Sequence, residues 1–216
     1  MLADYQTAGK GQRGNSWESE AGANLTFSLV LYPKFLSASK QFSLSRVVAL
    51  GIVQTLKDYI KEGISIKWPN DIYYHDKKLC GMLMEVYLDG SNLSRCICGI
   101  GLNVNQTKFV SDAPNPVSLI QITNRSIDRD KLLQRLLYGI YSYYNALSVG
   151  DESQEKVLLE SYSDNLYRKD GMHPYRDKDG EFMARLRCVE PDGRLLLEDE
   201  KGQVRAYLFK EVQYII

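Results

Sequence analysis

The sequence predicts an α+β fold: a mixed, mostly antiparallel sheet with helices, followed by a small β-barrel. Three observations predict it. Alternating apolar runs between residues 64 and 104 are parted by turn residues rather than by helices, the pattern of hairpins. Two long stretches, residues 43–60 and 128–147, place apolar side chains at helical spacing. Beyond residue 166 the chain breaks into short strands parted by Asp179-Gly180, Pro191-Asp192-Gly193 and Lys201-Gly202, which marks a small barrel or half-barrel. The 216 residues therefore divide into a larger unit, 1–165, and an appendage, 166–216, too short to bury much core alone.

Taken in order, the first residues read as the tail of a strand that runs straight into the loop Gly9-Lys10-Gly11-Gln12-Arg13-Gly14. Leu25 to Leu31 alternates as a strand and stops before Pro33. Ser43 to Ile60 is an amphipathic helix with Leu44, Val48, Ile52, Leu56, Tyr59 and Ile60 on one side, ending at Gly63. Ile64 to Trp68 is a short strand halted by Pro69. A hairpin follows, Ile72–Tyr74 with Leu79–Leu88, and then a strand from Leu93 to Val104 that Gly99 and Gly101 are expected to interrupt. Residues 105–116 form a loop with two prolines. Helices follow over Asp128–Leu147 and about Glu152–Tyr162, and short strands over Phe182–Val189, Leu195–Leu197 and Arg205–Leu208.

Apolar residues make up 44% of the chain, enough for a core, and 27 basic residues balance 27 acidic ones. That balance argues against nucleic-acid binding by bulk charge. No apolar run is long enough to span a bilayer, and the start lacks the pattern of a signal peptide. Cys80, Cys96, Cys98 and Cys188 form no zinc-site spacing, so structural thiols in a reduced, cytoplasmic protein are expected. His75 and His173 have no partner pattern and read as surface residues.

Four clusters can carry chemistry. The glycine loop, with Lys10 and Arg13, offers backbone N–H groups and positive charge to an anion. It also satisfies G-x-G-x-x-G, but no helix opens behind it, which excludes the dinucleotide fingerprint. Lys67-Trp68-Pro69-Asn70-Asp71 reads either as a turn with an Asx cap or as a phosphate cation beside a carboxylate. Lys77-Lys78-Leu79-Cys80-Gly81-Met82-Leu83-Met84-Glu85 reads either as surface decoration of a hairpin or as a cation source. In Gly99-Ile100-Gly101-Leu102-Asn103, two strand glycines suit a bulge or a close ligand approach.

Jointly and in this order the clusters resemble the biotin protein ligase family. That family carries a Gly-Arg-Gly-Arg-Arg-Gly-type loop followed by Trp, then Lys-Trp-Pro-Asn-Asp, then Lys-(apolar)-x-Gly-(apolar)2-x-Glu, then Gly-x-Gly-(apolar)-Asn. Ala21-Gly22-Ala23-Asn24-Leu25 is similar to the family's stretch after the loop, so the resemblance covers nearly the whole chain. It implies a class II synthetase-like catalytic domain over 1–165 and an SH3-like C-terminal domain over 166–216. The implied reaction forms biotinyl-5′-AMP from biotin and MgATP, then passes biotin to a lysine of a biotin carboxyl carrier protein.

The same resemblance distributes roles. Lys78, Arg13, Lys67 and Asp71 are the expected catalytic residues, with Lys78 between the biotin carboxylate and the phosphate and Asp71 orienting the acceptor amine. Gln6, Gly9, Gly11, Gly99, Gly101 and Leu102, with Lys78, are expected around biotin. Lys10, Arg13, Gly14, Trp17, Asn70 and Asn103 are expected around the adenylate, Asn103 facing adenine. ATP and Mg2+ are the implied cofactors, the metal arriving with the nucleotide rather than in a structural site. The glycine loop is expected to close over the adenylate and exclude water.

Three departures bear on this. Gln12 stands where the loop has its middle arginine, and Lys10 replaces another. The family's Ser/Thr-Thr-Asn element is not in these residues. No winged-helix segment precedes the loop, so DNA binding is not expected; a homodimer stays open. Two alternatives stay open: a relative of the lipoate–protein ligases and octanoyltransferases, whose Gly-Gly-Gly-Ala-Val loop is absent here, and a catalytically impaired biotin-binding module.

Overall fold

The computed structural model describes residues 1–11, 16–110 and 114–216. Two antiparallel sheets organise it. The first has six strands in the order β1-β2-β6-β5-β4-β3: β1 (Leu2–Ala3), β2 (Leu25–Leu31), β3 (Ile64–Lys67), β4 (Asp71–Tyr74), β5 (Lys77–Asp89) and β6 (Asn92–Leu102). The second has five in the order β10-β9-β8-β7-β11: β7 (His173–Asp177), β8 (Gly180–Val189), β9 (Leu195–Asp199), β10 (Val204–Tyr207) and β11 (Gln213–Tyr214). Helices α1 (Phe42–Leu56), α2 (Leu119–Thr123), α3 (Arg129–Val149) and α4 (Glu152–Asp164) complete the fold. The mixed α+β reading therefore holds at the level of antiparallel sheets with helices. Short α2, β7 and β11 are additions, each too brief to leave a periodic signature.

The first sheet works by alternation. Phe27, Cys98, Cys96, Ile100, Leu102, Cys80 and Met82 point into the helix-covered core and are buried. Register places Thr26, Gly101 and Gly81 side by side on the other face, with Ser28, Gly99 and Leu83 in the next row. Contrary to expectation, β6 runs unbroken through both glycines. The ladder hydrogen bonds supply the order that glycine itself does not.

Helix α1 is buried on nearly every side rather than along one stripe, because α3 and α4 as well as the sheet pack on it. It ends at Leu56, and single turns carry the chain on to Ile60. Helices α1 and α3 touch backbone to backbone: a Cβ on Gly51 would lie 2.6 Å from the Ile140 Cα, and one on Gly139 2.9 Å from the Gly51 carbonyl oxygen. Asp128 caps α3 by accepting from Lys131 N–H at 3.1 Å, and Gly150 ends it at φ 72°.

The second sheet is fastened to the first rather than loosely attached. The linker runs beside β3, with Ile66 N–H donating to Asn165 O and Tyr167 N–H to Ile66 O. Arg46 on α1, 3% exposed, donates to the carbonyls of Val189 and Glu190 while its guanidinium lies 4.9 Å from the Phe42 ring centroid. The Trp68 indole donates to Gly193 O at 2.9 Å and packs edge-on against Phe209.

The four cysteines are free, and burial pushes the Cys96 thiol up to about 11 and raises Cys80 and Cys98 further. Protonated and enclosed, they behave as packing residues. His75 is exposed in its hairpin turn; His173 is half-buried in β7, its ring hydrogen-bonded to Asp170 O, a correction to its reading as a surface residue. Among the described residues no helix is long and apolar enough to cross a membrane, and no group of three His, Cys, Asp or Glu side chains is placed to hold a metal.

Candidate active site

A cleft of about 870 Å³ opens on the uncovered face of the first sheet and is closed at one end by the second. Its floor is the glycine rows of β5 and β6. A Cβ on Gly101 would lie 2.3 Å from Trp17 Cε2, and one on Gly81 3.1 Å from Trp17 Cζ3, so the indole rests directly on the sheet. Gly99 differs: a Cβ there would meet nothing nearer than Leu83 at 3.8 Å, which leaves open space above it. The Trp17 Nε1–H is buried and has no hydrogen-bond partner among the described residues.

Trp17 is placed by the neck of the glycine loop. Its N–H donates to Gly9 O at 2.9 Å, and Lys10 bridges to Ser16. Gln6, Lys10 and Gly11 line the cleft beside it. Gln12, Arg13, Gly14 and Asn15 lie outside the described residues, so the expectations for Arg13 and Gly14 and for loop closure fall there too. After the loop, buried Asn24 and Gln106 hold the chain down. Asn24 Nδ2 donates to Gln106 Oε1 at 2.6 Å, Val104 N–H donates to Asn24 Oδ1, and Gln106 Nε2 reaches Glu18.

The cations come from the β3–β4 turn and the start of β5. Lys67 pairs with Asp71 in register, so Trp68-Pro69-Asn70 forms the turn, with a cis bond between Trp68 and Pro69. Asn70 Nδ2 donates to Met82 O and Met82 N–H to Asn70 O, which ties this turn to β5. Lys78 reaches the cleft because the β4–β5 register slips between Ile72 and Tyr73. Alternation back from Gly81 would put Leu79 in the cleft. The bulge instead buries Leu79 at 0% exposure and turns Lys78 toward the site. There Lys78 Nζ meets Asp71 Oδ1 at 2.7 Å and lies 5.8 Å from the Trp17 ring centroid.

Lys67 is in a different situation. Its ammonium lies 5.0 Å from the Tyr73 ring centroid and 4.6 Å from that of Tyr214, and makes no ion pair or hydrogen bond with the described residues. Burial holds its pKa below the usual lysine value, opposed by the nearby Asp71 charge.

Among the expected site residues, Gln6, Lys10, Gly11, Trp17, Lys67, Asn70, Asp71, Lys78, Gly99 and Gly101 line this one cleft. Three do not. Gly9 serves the loop neck through its carbonyl. Leu102 points into the core at 0% exposure, as strand alternation from Gly101 requires. Asn103 is 3% exposed and donates to Val117 O at 3.0 Å, because β6 has ended and the chain turns beneath residues 117–119. Sequence reasoning missed Thr26 and Ser28, which alternation in β2 could have found, and Lys210, Val212, Gln213 and Tyr214 from the second sheet, for which there was no local signal.

Residues 1–103 match the family model described as Biotin/lipoate A/B protein ligase family. The bifunctional ligase/repressor BirA of Bacillus subtilis is 32% identical over 212 residues, covering 96% of this chain and 63% of the relative. The biotin–[acetyl-CoA-carboxylase] ligase of Mycobacterium tuberculosis is 29% identical over 140 residues, covering 63% of this chain and 50% of that one. The chain thus spans 63% or less of the length of these relatives. Among solved structures, the biotin protein ligase from Aquifex aeolicus in complex with biotin and ATP superposes with a TM-score of 0.80 at 26% identity, covering 99% of this chain and 88% of that one.

Proposed function

We propose that the chain is a member of the biotin/lipoate A/B protein ligase family and, within it, an ATP-dependent biotin–protein ligase. In this reading it forms biotinyl-5′-AMP and transfers biotin to a lysine of a biotin carboxyl carrier protein. One observation carries the reading. A glycine floor under an indole and two lysines from separate motifs, one of them ion-paired to an aspartate, converge on a single cleft.

The chemistry asks for that arrangement. A carboxylate that attacks an α-phosphate brings two anions together, and fixed cations must offset them. Lys78, held by Asp71, sits between the biotin carboxylate and the phosphate; Lys67 takes phosphate oxygens. The open row at Gly99, beside the indole that covers Gly101, gives biotin a flat seat, and Gln6 with the backbone of Gly11 holds its ureido head. Trp17, Lys10 and Asn70 border the nucleotide, with Arg13 and Gly14 assigned to its phosphates. Mg2+ would come with ATP and would supply charge to offset its polyphosphate. In the second step positioning of the neutral acceptor amine supplies much of the rate, and Asp71 is the carboxylate offered to its proton. We read residues 1–165 as the catalytic unit and 166–216 as an SH3-like unit.

Biotin-dependent exchange of pyrophosphate into ATP tests the proposal. Exchange that requires biotin, followed by biotin transfer to a carrier domain, is the expected outcome. A folded protein with no exchange at saturating biotin and MgATP would refute it.

A further inference from the structure

Among the described residues, the Lys67 ammonium meets aromatic rings rather than an ion-pair partner. Lys78 has Asp71 at 2.7 Å, whereas Lys67, with the Asp71 charge nearby but no ion pair among the described residues, lies against the faces of Tyr73 and Tyr214. Those rings come from different sheets. Tyr73 lies on β4, and Tyr214 on β11, the last strand of the second sheet.

Tyr214 is itself held in place. Its backbone pairs with Tyr175 on β7, and its ring packs against Tyr175 and Tyr167 at centroid distances of 5.1 and 5.8 Å. Arg168 donates to Ile215 O at 2.8 Å immediately beyond it. Among the described residues the buried Tyr214 hydroxyl has no hydrogen-bond partner, and it is the ring that meets Lys67.

We propose that Tyr214 is a positioning residue: together with Tyr73 it holds the Lys67 ammonium at the cleft without neutralising it, leaving that charge free for a phosphate oxygen. This rests on the ligase reading above. A carboxylate in place of the ring would fix the lysine equally well but cancel the charge the reaction needs. A ring attracts the cation through its quadrupole and accepts no proton. The second sheet thereby contributes to the reaction through Lys67 rather than by touching substrate.

The test uses the full chain with Tyr214→Phe, Tyr214→Leu, Lys67→Met and the Lys67→Met/Tyr214→Leu double variant. Inorganic pyrophosphate binding is measured by calorimetry, alongside the exchange rate and biotin affinity. Phe keeps the ring and is expected to match the parent. Leu is expected to weaken pyrophosphate binding and slow exchange about tenfold, the scale of a desolvated cation–π contact, with biotin affinity unchanged. In the Lys67→Met background the Leu change is expected to add nothing. Equal losses in Phe and Leu, or an additive loss in the double variant, would overturn the proposal.

A second readout does not depend on activity or on the folding of any variant. In protein labelled at lysine Cε, two flanking rings should shift the Lys67 resonance well away from those of exposed lysines. An unshifted resonance in the parent overturns the cage. A shifted resonance and pyrophosphate binding that depends on Tyr214, in a protein without biotin-dependent exchange, would keep the cage and remove the ligase reading.

Discussion

The floor of the cleft and its cationic wall are built on opposite principles. The floor works by what is missing. Gly81, Gly99 and Gly101 withhold side chains from an otherwise ordinary antiparallel ladder, and the space goes to an indole and to open cleft. The wall works by excess: Lys67, Lys78 and Asp71 crowd charge into a half-buried corner where each ammonium needs a partner. The floor is thus rigid and chemically silent, while the wall is reactive and depends on its supports. Substitutions that fill the floor should act on binding, and substitutions that strip the wall should act on rate.

The sharpest test of that contrast is Lys78→Ala. It removes the cation at the reacting centre and leaves Asp71 unpaired, and adenylate formation is expected to fall on the order of a hundred- to a thousandfold. Full pyrophosphate exchange in this variant would show that the wall is not where the reaction is driven.

Gly99→Val probes the floor. Its side chain would project into open cleft, because the nearest atom to a Cβ there is 3.8 Å away. Biotin binding should weaken roughly ten- to a hundredfold, the scale of overpacking a fitted site, with little change in melting temperature. Unchanged biotin affinity would place the ligand elsewhere.

Trp68→Phe has the smallest expected effect and acts at the seam with the second sheet. Loss of the indole N–H leaves Gly193 O without its buried donor and should cost about 1–3 kcal/mol in urea unfolding. A variant as stable as the parent would mean that this hydrogen bond contributes nothing to holding the second sheet.

How much of this was legible in the sequence follows from the range of the interactions involved. The strands of the first sheet could be read because their alternation is local, and the glycine rows could be suspected because glycine in a strand needs a reason. The grouping of the Lys67, Lys78 and Gly99 motifs came from resemblance, not from any pattern within one of them. The orientation of Lys78 hinges on a one-residue slip at Leu79, a register property that no side-chain period encodes. The expectation for Asn103 came from resemblance alone; its burial against Val117 O is set by the turn beyond the end of β6, which no local pattern announces. Tyr214 was invisible because β11 has two residues and its role is set by contacts with Lys67, far away in the chain.

The two tryptophans of this chain sit at the two places where its state can change. Trp17 lies over the glycine floor in the cleft, and Trp68, 2% exposed, lies at the seam with the second sheet. Intrinsic emission is therefore a two-channel signal, one reporting occupancy of the cleft and the other the joining of the sheets. The Trp68→Phe variant leaves the first channel alone and makes ligand titration readable without a label.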